Sequence, residues 1–341
     1  MTAWKPADGL IISEPATPEV QEAIAAHGLD ARSFSPTALE HFAACPYRFA
    51  LRTIAKLGPR ETPEAIETLG PLERGSLVHE VQFELLGELR AADELPVRAA
   101  TLDTARGRLD LALDRVAARY RDQLCPAIDR VWNDGIASIR ADLREWLRRS
   151  AEDCEWTPRR FELGFGLTGR QGERDPASVP DAVRLDVGIA VRGSIDLVEE
   201  GPGGIMRATD HKTGRMRVKA TKYGPAIIAG GSSLQPVLYA LVLEQLFPAT
   251  PIAGGRLSYC TTRGDFQIVD VPLDDGSRAA AGVLADTLSH HAAAGFFPAA
   301  PNKGECTYCD FRGLCGPSEE LRASKKRGER LAQLKRLREQ R

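Results

Sequence analysis

The sequence contains no run of 18 or more apolar residues, and its first residues, MTAWKPADGL, contain no apolar stretch of the kind found in secretory signals. These absences argue against a membrane-spanning helix and against secretion, so we expect a cytoplasmic protein with no membrane partner. The chain also lacks an excess of either charge, since its net charge is −2. Any contact with a polyanion such as nucleic acid would therefore need a local basic groove.

The composition is otherwise that of a globular protein. The chain has 341 residues, of which 43% are hydrophobic and 27% are charged, enough for one large domain or two small ones. Seven cysteines are present. In a cytoplasmic protein we expect them to be metal ligands or buried thiols rather than disulfides.

A β-hairpin is predicted in the middle of the chain. Two runs typical of strands, Gly188–Glu199 and Ile205–Lys212, flank the turn cluster Gly201–Gly204. Asp196 and Asp210 lie at mirror positions about this turn, so a symmetric register makes them cross-strand neighbours. Like charges in that position destabilise a sheet unless a cation lies between them. The hairpin therefore predicts a divalent metal site.

The alternation of side chains along a strand adds a lysine to this site. Lys212 shares a face with Asp210, whereas the His211 side chain points away. Two carboxylates and a lysine converging on one point can hold a hard metal ion and a phosphate together. The motif D-x-K is short, however, and a surface hairpin with solvated charges fits the same residues.

Two helices are predicted in the first quarter of the chain. Ser35–Pro36 supplies an N-cap and a first helical residue, and this helix should end at Cys45, which precedes a proline. Leu72–Leu89 is amphipathic and carries His79. Without a metal site nearby, His79 is an ordinary surface or half-buried histidine, and with one it becomes a candidate ligand.

Residues 100–153 read as two or three long charged helices, such as Leu109–Arg121 and Ile136–Arg149. Trp132 and Trp146 are expected in the core. One helix carries several arginines that fit either a solvated face, which we favour, or contact with phosphates. These arginines are Arg140, Arg144, Arg148 and Arg149.

A strand is predicted at Phe161–Leu167, and a basic stretch from Lys212 to Lys222 follows the hairpin. A helix starting near residue 233 follows. It places Gln235 and Tyr239 on one face, because residues four apart are neighbours on a helix surface. A second hairpin and a helix at Gly276–Ala294 complete this region.

Three cysteines cluster near the C-terminus. Cys306, Cys309 and Cys315 have C-x2-C-x5-C spacing in a glycine-rich loop, which is a strong metal signal. Tetrahedral zinc and a four-iron cluster each need a fourth ligand. The possible fourth ligands include Cys125, Cys154 and Cys260, but none of them lies in a comparable setting.

Six motifs in a fixed order resemble the iron–sulfur nuclease domain of the AddB and RecB-like exonuclease family, a branch of the PD-(D/E)xK nuclease superfamily. The motifs are C-P-Y-R-F, G-x-x-x-H, G-x-I-D, D-x-K-T-G, Q-x-x-x-Y and C-x2-C-x5-C. They correspond to Cys45–Phe49, Gly75–His79, Gly193–Asp196, Asp210–Gly214, Gln235–Tyr239 and Cys306–Cys315.

The resemblance implies a fold and a domain plan. The fold is α/β, with a restriction-endonuclease-like core in which helices flank a mixed β-sheet. A helical insertion and a C-terminal loop stapled by the cluster are added to this core. Residues 1–32 would be an extension or linker, residues 33–316 the nuclease domain, and residues 317–341 a basic helical tail. The tail has nine Lys or Arg against four Glu, and we expect a solvated helix, with DNA contact as the alternative.

The resemblance also implies two sets of ligands. Cys45 would be the fourth ligand of a 4Fe–4S cluster with the three clustered cysteines, although spacing alone leaves zinc open. Asp196, Asp210 and His79 would bind Mg²⁺ or Mn²⁺, with the backbone carbonyl of His211 as a further ligand. Lys212 would orient the attacking water or stabilise charge on the phosphate, and Gln235 and Tyr239 would position Lys212 or DNA.

The implied function is a metal-dependent DNA nuclease, an exonuclease acting on single-stranded ends in the repair of double-strand breaks. No G-x-x-x-x-G-K-[ST] motif occurs, so unwinding would need a helicase subunit or a linked helicase domain. Two alternatives from other classes are a non-catalytic DNA-binding module and an interaction module that only assembles with a helicase.

Overall fold

The protein is described by a computed structural model. It covers residues 3–5, 8–10, 17–26, 28–29, 31–59, 66–167, 174–216, 226–315 and 318–341. Within these residues the chain forms mixed sheets flanked by helices, which is consistent with the expected restriction-endonuclease-like fold. None of the described helices combines the length and the apolarity needed to cross a bilayer.

The α-helices are α1 (Pro18–Ala25), α2 (Pro36–Ala44), α3 (Pro46–Phe49), α4 (Pro71–Ala91), α5 (Leu102–Leu124), α6 (Asp129–Glu152), α7 (Gln235–Leu246), α8 (Asp275–Ala293), α9 (Arg312–Cys315), α10 (Glu319–Ser324) and α11 (Ala332–Arg338). The strands are β1 (Ser33–Phe34), β2 (Thr157–Phe165), β3 (Val183–Arg184), β4 (Ala190–Val191), β5 (Gly193–Glu200), β6 (Met206–Lys212), β7 (Ile252–Tyr259) and β8 (Ile268–Pro272).

Five strands form the central sheet, in the order β2-β5-β6-β7-β8. All neighbours are antiparallel except β6 and β7, which are parallel because α7 provides the crossover connection between them. The predicted hairpin is β5–β6, and its register pairs Leu197 with Thr209 and Val198 with Ala208. Asp196 and Asp210 lie one position beyond the first of these pairs, as the symmetry about the turn predicts.

Two hydrophobic cores cover the two faces of this sheet. One contains residues of α2, α7 and α8, such as Phe42, Leu238 and Leu284. The other contains residues of α4, α5 and α6, including Trp132 and Trp146, so the prediction that both tryptophans are core residues is confirmed. A smaller sheet, in the order β1-β4-β3, adjoins the first core.

The helix signals read from the sequence are confirmed. The Ser35 hydroxyl accepts a hydrogen bond from the Ala38 N–H at 3.2 Å, and α2 ends at Cys45. Ser35 therefore provides the N-cap that its position suggested. The arginine-rich face of α6 is a surface on which the arginines bind acids. Arg140 lies 3.0 Å from Asp110, and Arg149 lies 2.7 Å from Glu145. These pairs agree with the solvated helix face rather than with phosphate contact.

The C-terminal segment differs from the solvated helix that its charge suggested. Leu334 and Leu337 are buried, and the guanidinium of Arg338 donates hydrogen bonds to the carbonyl oxygens of Ala43, Ala44 and Ala300 at 2.7 to 2.9 Å. The leucines recur at helical spacing and so form an apolar stripe, which outweighs the net positive charge of the segment. The domain boundaries at residues 32 and 316 stay predictions.

A buried ion network holds the hairpin together behind the predicted site. The Arg207 guanidinium donates two hydrogen bonds to Glu199, at 2.7 and 2.8 Å, and a third to Asp153 at 3.0 Å. Its other face lies 4.0 Å from the Trp156 ring. Glu199 on β5 and Arg207 on β6 are both buried. Neither charged side chain can be hydrated unless β5 separates from β6.

Replacing Arg207 should destabilise the fold, because it leaves the Glu199 carboxylate buried without its cationic partner. We expect Arg207→Met to lower the free energy of unfolding by about 3–5 kcal/mol and Arg207→Met/Glu199→Leu to recover most of that loss. Chemical denaturation measures both. The control is Arg159→Met, which breaks a largely exposed pair with Glu200 at 2.9 Å and should cost under about 1 kcal/mol. Equal losses for the two single variants would contradict the role of the network.

Candidate metal centre

The predicted acidic residues meet where β2, β5 and β6 lie side by side beneath α4. His79 Nδ1 lies 3.4 Å from Asp196 Oδ2 and 4.0 Å from Glu162 Oε1. His79, Glu162 and Asp196 each offer a ligand atom, and these atoms all lie within 4.8 Å of one another. Asp196 also accepts a hydrogen bond from the His211 N–H at 2.7 Å, which fixes its carboxylate. The structure thus brings His79 and Asp196 together as the sequence predicts.

Glu162 is a site residue that sequence reasoning missed. It lies on β2, where its carboxylate accepts a hydrogen bond from the Ser194 hydroxyl at 2.8 Å, and its backbone has φ +51°. That left-handed conformation is uncommon for a residue with a side chain. A single glutamate in a strand gives no metal signal by itself. The available hint was its place between two apolar residues, Phe161 and Leu163.

The regular alternation of side chains between the two faces of the sheet is interrupted at this point. Phe161 and Leu163 lie two residues apart yet pack in different cores, and the same holds for Leu197 and Ile195. Residues at that spacing normally share a face of the sheet. The interruption falls at Glu162 on β2 and at Asp196 on β5. It directs both carboxylates towards the boundary between the two cores, where His79 of α4 also lies.

Asp210 and Lys212 form the second part of the centre. Lys212 Nζ lies 2.5 Å from Asp210 Oδ2, an atom that is buried and makes no hydrogen bond of acceptable geometry with the described residues. Burial raises the pKa of Asp210 to about 6, although the Lys212 ammonium opposes this shift. A buried carboxylate beside other carboxylates is costly even when one lysine pairs with it, and a bound cation would lower that cost.

The two histidines beside the acids have opposite characters. Burial lowers the pKa of His79, but the Asp196 carboxylate outweighs it and raises the value to about 9. Burial lowers the pKa of His211 to about 4, so its ring is neutral. The His211 ring packs edge-on against Trp146, with 5.7 Å between ring centres. Its side chain is thus part of the packing, and the role of its carbonyl stays a prediction.

Tyr239 is buried on α7, and the structure places it beside the acids. Burial raises the pKa of Tyr239 well above its ordinary value, and the Asp210 carboxylate adds to this effect. A Cβ atom at Gly193 would lie 3.6 Å from the Tyr239 hydroxyl oxygen, an ordinary van der Waals distance, so α7 packs close to the start of β5. Gln235 is half-buried one turn away. No described contact connects it with the acids, and its role stays a prediction.

A small polar cavity of about 10 Å³ lies behind His79, Glu162 and Asp196. Gln82, one turn along α4 from His79, lines it and is 2% exposed. Neither amide atom of Gln82 makes a hydrogen bond of acceptable geometry with a described residue, although the weakly polar Cys260 thiol is close. A volume of this size holds about one water molecule. Gln82 is a second residue that sequence reasoning did not single out.

These residues fit a divalent metal ion. The carboxylates of Glu162, Asp196 and Asp210 supply the oxygen ligands that Mg²⁺ and Mn²⁺ prefer, and His79 adds a nitrogen that suits Mn²⁺. The burial of Asp210 and the crowding of like charges around it are the observations that favour a cation here. Part of the predicted basic stretch, Arg217 to Lys222, lies outside the described residues.

Four cysteines meet at a different place, beyond the end of α2. Cys45, Cys306, Cys309 and Cys315 line one cavity of about 20 Å³. The Asn302 N–H donates to the Ala44 carbonyl at 2.8 Å, which holds the C-terminal loop against α2. Among the described residues, the cysteine sulfurs do not form a group as compact as that of His79, Glu162 and Asp196. The resemblance grouped the same four cysteines.

The remaining cysteines lie elsewhere. Cys125 is exposed and Cys154 is half-buried, and neither lines the cysteine cavity. Cys260 is buried in the second core, and its thiol donates to the Lys212 carbonyl at 3.6 Å. Burial raises the pKa of Cys315 to about 12, and the neighbouring Cys45 adds to this effect. A metal centre in the cavity would therefore have to displace protons from the thiols when it binds.

Comparison with known proteins agrees with the site. Residues 33–316 match the family described as "PD-(D/E)XK nuclease superfamily". The matched range covers most of the chain and contains the acids, Lys212 and the four clustered cysteines. A comparison with curated proteins gave no match.

Metal binding should depend on Glu162 as much as on Asp196. Loss of residues that only support metal ligands already costs about 10- to 100-fold in affinity, so we expect Glu162→Gln and Asp196→Asn each to weaken Mn²⁺ binding at least tenfold. Isothermal titration of the DNA-free protein measures this. Asp181→Asn, which removes an exposed carboxylate outside the site, is the matched control. Wild-type affinity in Glu162→Gln would remove Glu162 from the metal-binding group.

Proposed function

Because the chain belongs to the PD-(D/E)XK nuclease superfamily, we propose that it is a deoxyribonuclease that hydrolyses phosphodiester bonds with bound Mg²⁺ or Mn²⁺. Membership of the superfamily implies metal-dependent nuclease activity. The observation that carries the proposal to particular residues is the convergence of one lysine and three carboxylates at the end of β5 and β6. Lys212 lies 2.5 Å from Asp210, next to the compact group of His79, Glu162 and Asp196.

The residues divide the work of hydrolysis between them. His79, Glu162, Asp196 and Asp210 would hold the metal ion, which when bound polarises the scissile phosphate and lowers the pKa of a water molecule. The Lys212 ammonium, held by Asp210, is placed to stabilise negative charge that develops on the phosphate or to orient the attacking water. Tyr239 closes the site from the side of α7 and helps to exclude bulk water.

We further propose that Cys45, Cys306, Cys309 and Cys315 bind a 4Fe–4S cluster. Support comes from their shared cavity and from the family resemblance. The cluster would be structural, because phosphodiester hydrolysis transfers no electron. It would join α2 to a loop more than 250 residues later in the chain, and closing so long a loop stabilises the fold by limiting the unfolded chain.

The physiological substrate that we propose is a DNA strand with a free single-stranded end. The resemblance to AddB and RecB-like exonucleases supports this choice and suggests a role in repairing double-strand breaks. The sequence contains no Walker motif. We therefore propose that a helicase, either as a separate subunit or as a linked domain, supplies the unwound strand.

Lys212→Ala should abolish cleavage without unfolding the protein. We expect cleavage of end-labelled single-stranded DNA in Mg²⁺ or Mn²⁺ to fall about 10²- to 10³-fold, the usual cost of removing one group that stabilises transition-state charge. Lys335→Ala, which removes an exposed lysine on α11, is the control. A circular strand of the same sequence tests for a free end. A protein that binds DNA but cleaves nothing would instead be a non-catalytic binding module.

Cys309→Ser should remove the cluster. We expect wild-type protein purified without oxygen to contain about four irons per chain and to absorb broadly in the visible range. In Cys309→Ser the iron content should fall and the melting temperature should drop. Cys125→Ser, an exposed cysteine outside the cavity, should change neither. A colourless wild-type protein that contains zinc would overturn the cluster and leave the nuclease proposal untouched.

A further inference from the structure

A basic cleft lies on the surface beside the metal centre. It has a volume of about 360 Å³ and is bounded by Arg32, the start of α2, the turn of π-helix at Ala50–Ile54, Lys56 and Arg192. Four cationic side chains line it, those of Arg32, Arg52, Lys56 and Arg192, together with hydroxyls of Ser35 and Thr37. No carboxylate is among its described lining residues. In a chain with a net charge of −2, this is a local concentration of positive charge.

Hydrogen bonds to backbone carbonyls hold two of these residues, Arg32 and Arg192, in place. The Arg32 guanidinium donates to the Thr53 carbonyl at 3.3 Å, and the Arg192 N–H donates to the Phe34 carbonyl at 3.0 Å. Burial lowers the pKa of Arg32, and the charge of Arg192 lowers it further. Asp310 neutralises part of the charge by binding Arg52 at 2.8 Å. The arrangement therefore concentrates like charges that an anionic ligand would stabilise.

The cleft and the metal centre are connected by a short piece of chain, because Arg192 immediately precedes β5, the strand that carries Asp196. Arg192 precedes Asp196 by four residues, a separation of about 13 Å in extended chain. Gly193 lies between them and is close to both the cleft and the metal centre. A Cβ atom at Gly193 would lie 3.8 Å from Pro36, at the start of α2, and 3.6 Å from the Tyr239 hydroxyl. A single strand can span a separation of this size with a few nucleotides.

We infer that this cleft binds the phosphodiester backbone of the substrate strand, a few nucleotides from the phosphate at the metal centre. The inference rests on the proposed nuclease function and adds the surface that aligns the strand. Backbone phosphates suit the cleft because arginines and hydroxyls bind them without reading the bases. The cleft thus supplies the local basic groove that the overall charge of the chain does not.

The test is the salt dependence of DNA binding without cleavage. Binding of a fluorescein-labelled 20-nucleotide single strand is followed by fluorescence anisotropy in buffer with no added divalent metal, and a gel checks that the strand stays intact. Each phosphate contact in single-stranded DNA contributes a slope of about 0.7 in log K against log salt. Lys56→Gln/Arg192→Gln should therefore lower the slope by about 1.4 and the affinity at 0.1 M salt about 25-fold.

The control variant, Arg130→Gln/Lys335→Gln, removes the same charge from exposed positions elsewhere and should keep the wild-type slope. Lys56 and Arg192 are exposed, so the melting temperature should not change in either variant. A wild-type slope in Lys56→Gln/Arg192→Gln would overturn the inference. An RNA strand of the same sequence forms a second arm, and a loss confined to RNA would overturn the assignment to DNA.

The outcome separates the cleft from the proposed reaction. Binding is measured without the metal, so it does not depend on turnover. If Lys212→Ala leaves cleavage unchanged while Lys56→Gln/Arg192→Gln weakens binding, the proposed catalytic role fails and the cleft stands. If Lys212→Ala abolishes cleavage while Lys56→Gln/Arg192→Gln binds like the wild type, the reaction stands and the cleft fails.

Discussion

The crowding of carboxylates at the end of the β5–β6 ladder is imposed by backbone pairing. Leu197 pairs with Thr209, and the same register carries Asp196 and Asp210 side by side just beyond the last pair of this ladder. The carboxylates cannot separate without breaking that ladder, and the buried pair of Glu199 and Arg207 holds it closed from behind. Electrostatic repulsion is therefore balanced locally, by Lys212, by His79 and by any cation that binds there. The other residues of the site are arranged to balance this repulsion between the carboxylates.

The break in strand alternation at Glu162 and Asp196 gives the site a position that a regular sheet could not provide. A regular strand would direct these carboxylates into one core or the other. The left-handed backbone at Glu162 costs about 1–3 kcal/mol, a cost that the packing of two cores on either side can offset. Because both cores meet at the interruption, α4 can bring His79 to the acids from one side and α7 can bring Tyr239 from the other.

The features of the fold and site that the sequence predicts are those set by residues close together in the chain. The hairpin symmetry placed Asp196, Asp210 and Lys212 correctly, because a short turn fixes the register. The place of Glu162 in the acidic group cannot be read from the sequence, because it depends on a backbone irregularity that has no sequence pattern. The C-terminal segment was judged by its charge, although Leu334 and Leu337 already gave the spacing of a buried face. The basic cleft collects Arg32, Lys56 and Arg192 from separate segments, so no window of sequence contains it.

The clamp that Arg338 forms on the carbonyls of Ala43 and Ala44 has a consequence for the order of synthesis. Nearly 300 residues separate the two partners, and a ribosome adds about 5–20 residues each second. The carbonyls of Ala43 and Ala44 are therefore synthesised roughly 15 to 60 s before the arginine that donates hydrogen bonds to them. Until Cys315 has been added to the chain, the thiol of Cys45 lacks at least one of its three cysteine neighbours, and it is open to oxidants and to other metals. Cys315 precedes Arg338 by 23 residues, so all four cysteines are in the chain before the clamp on the carbonyls beside Cys45 can form.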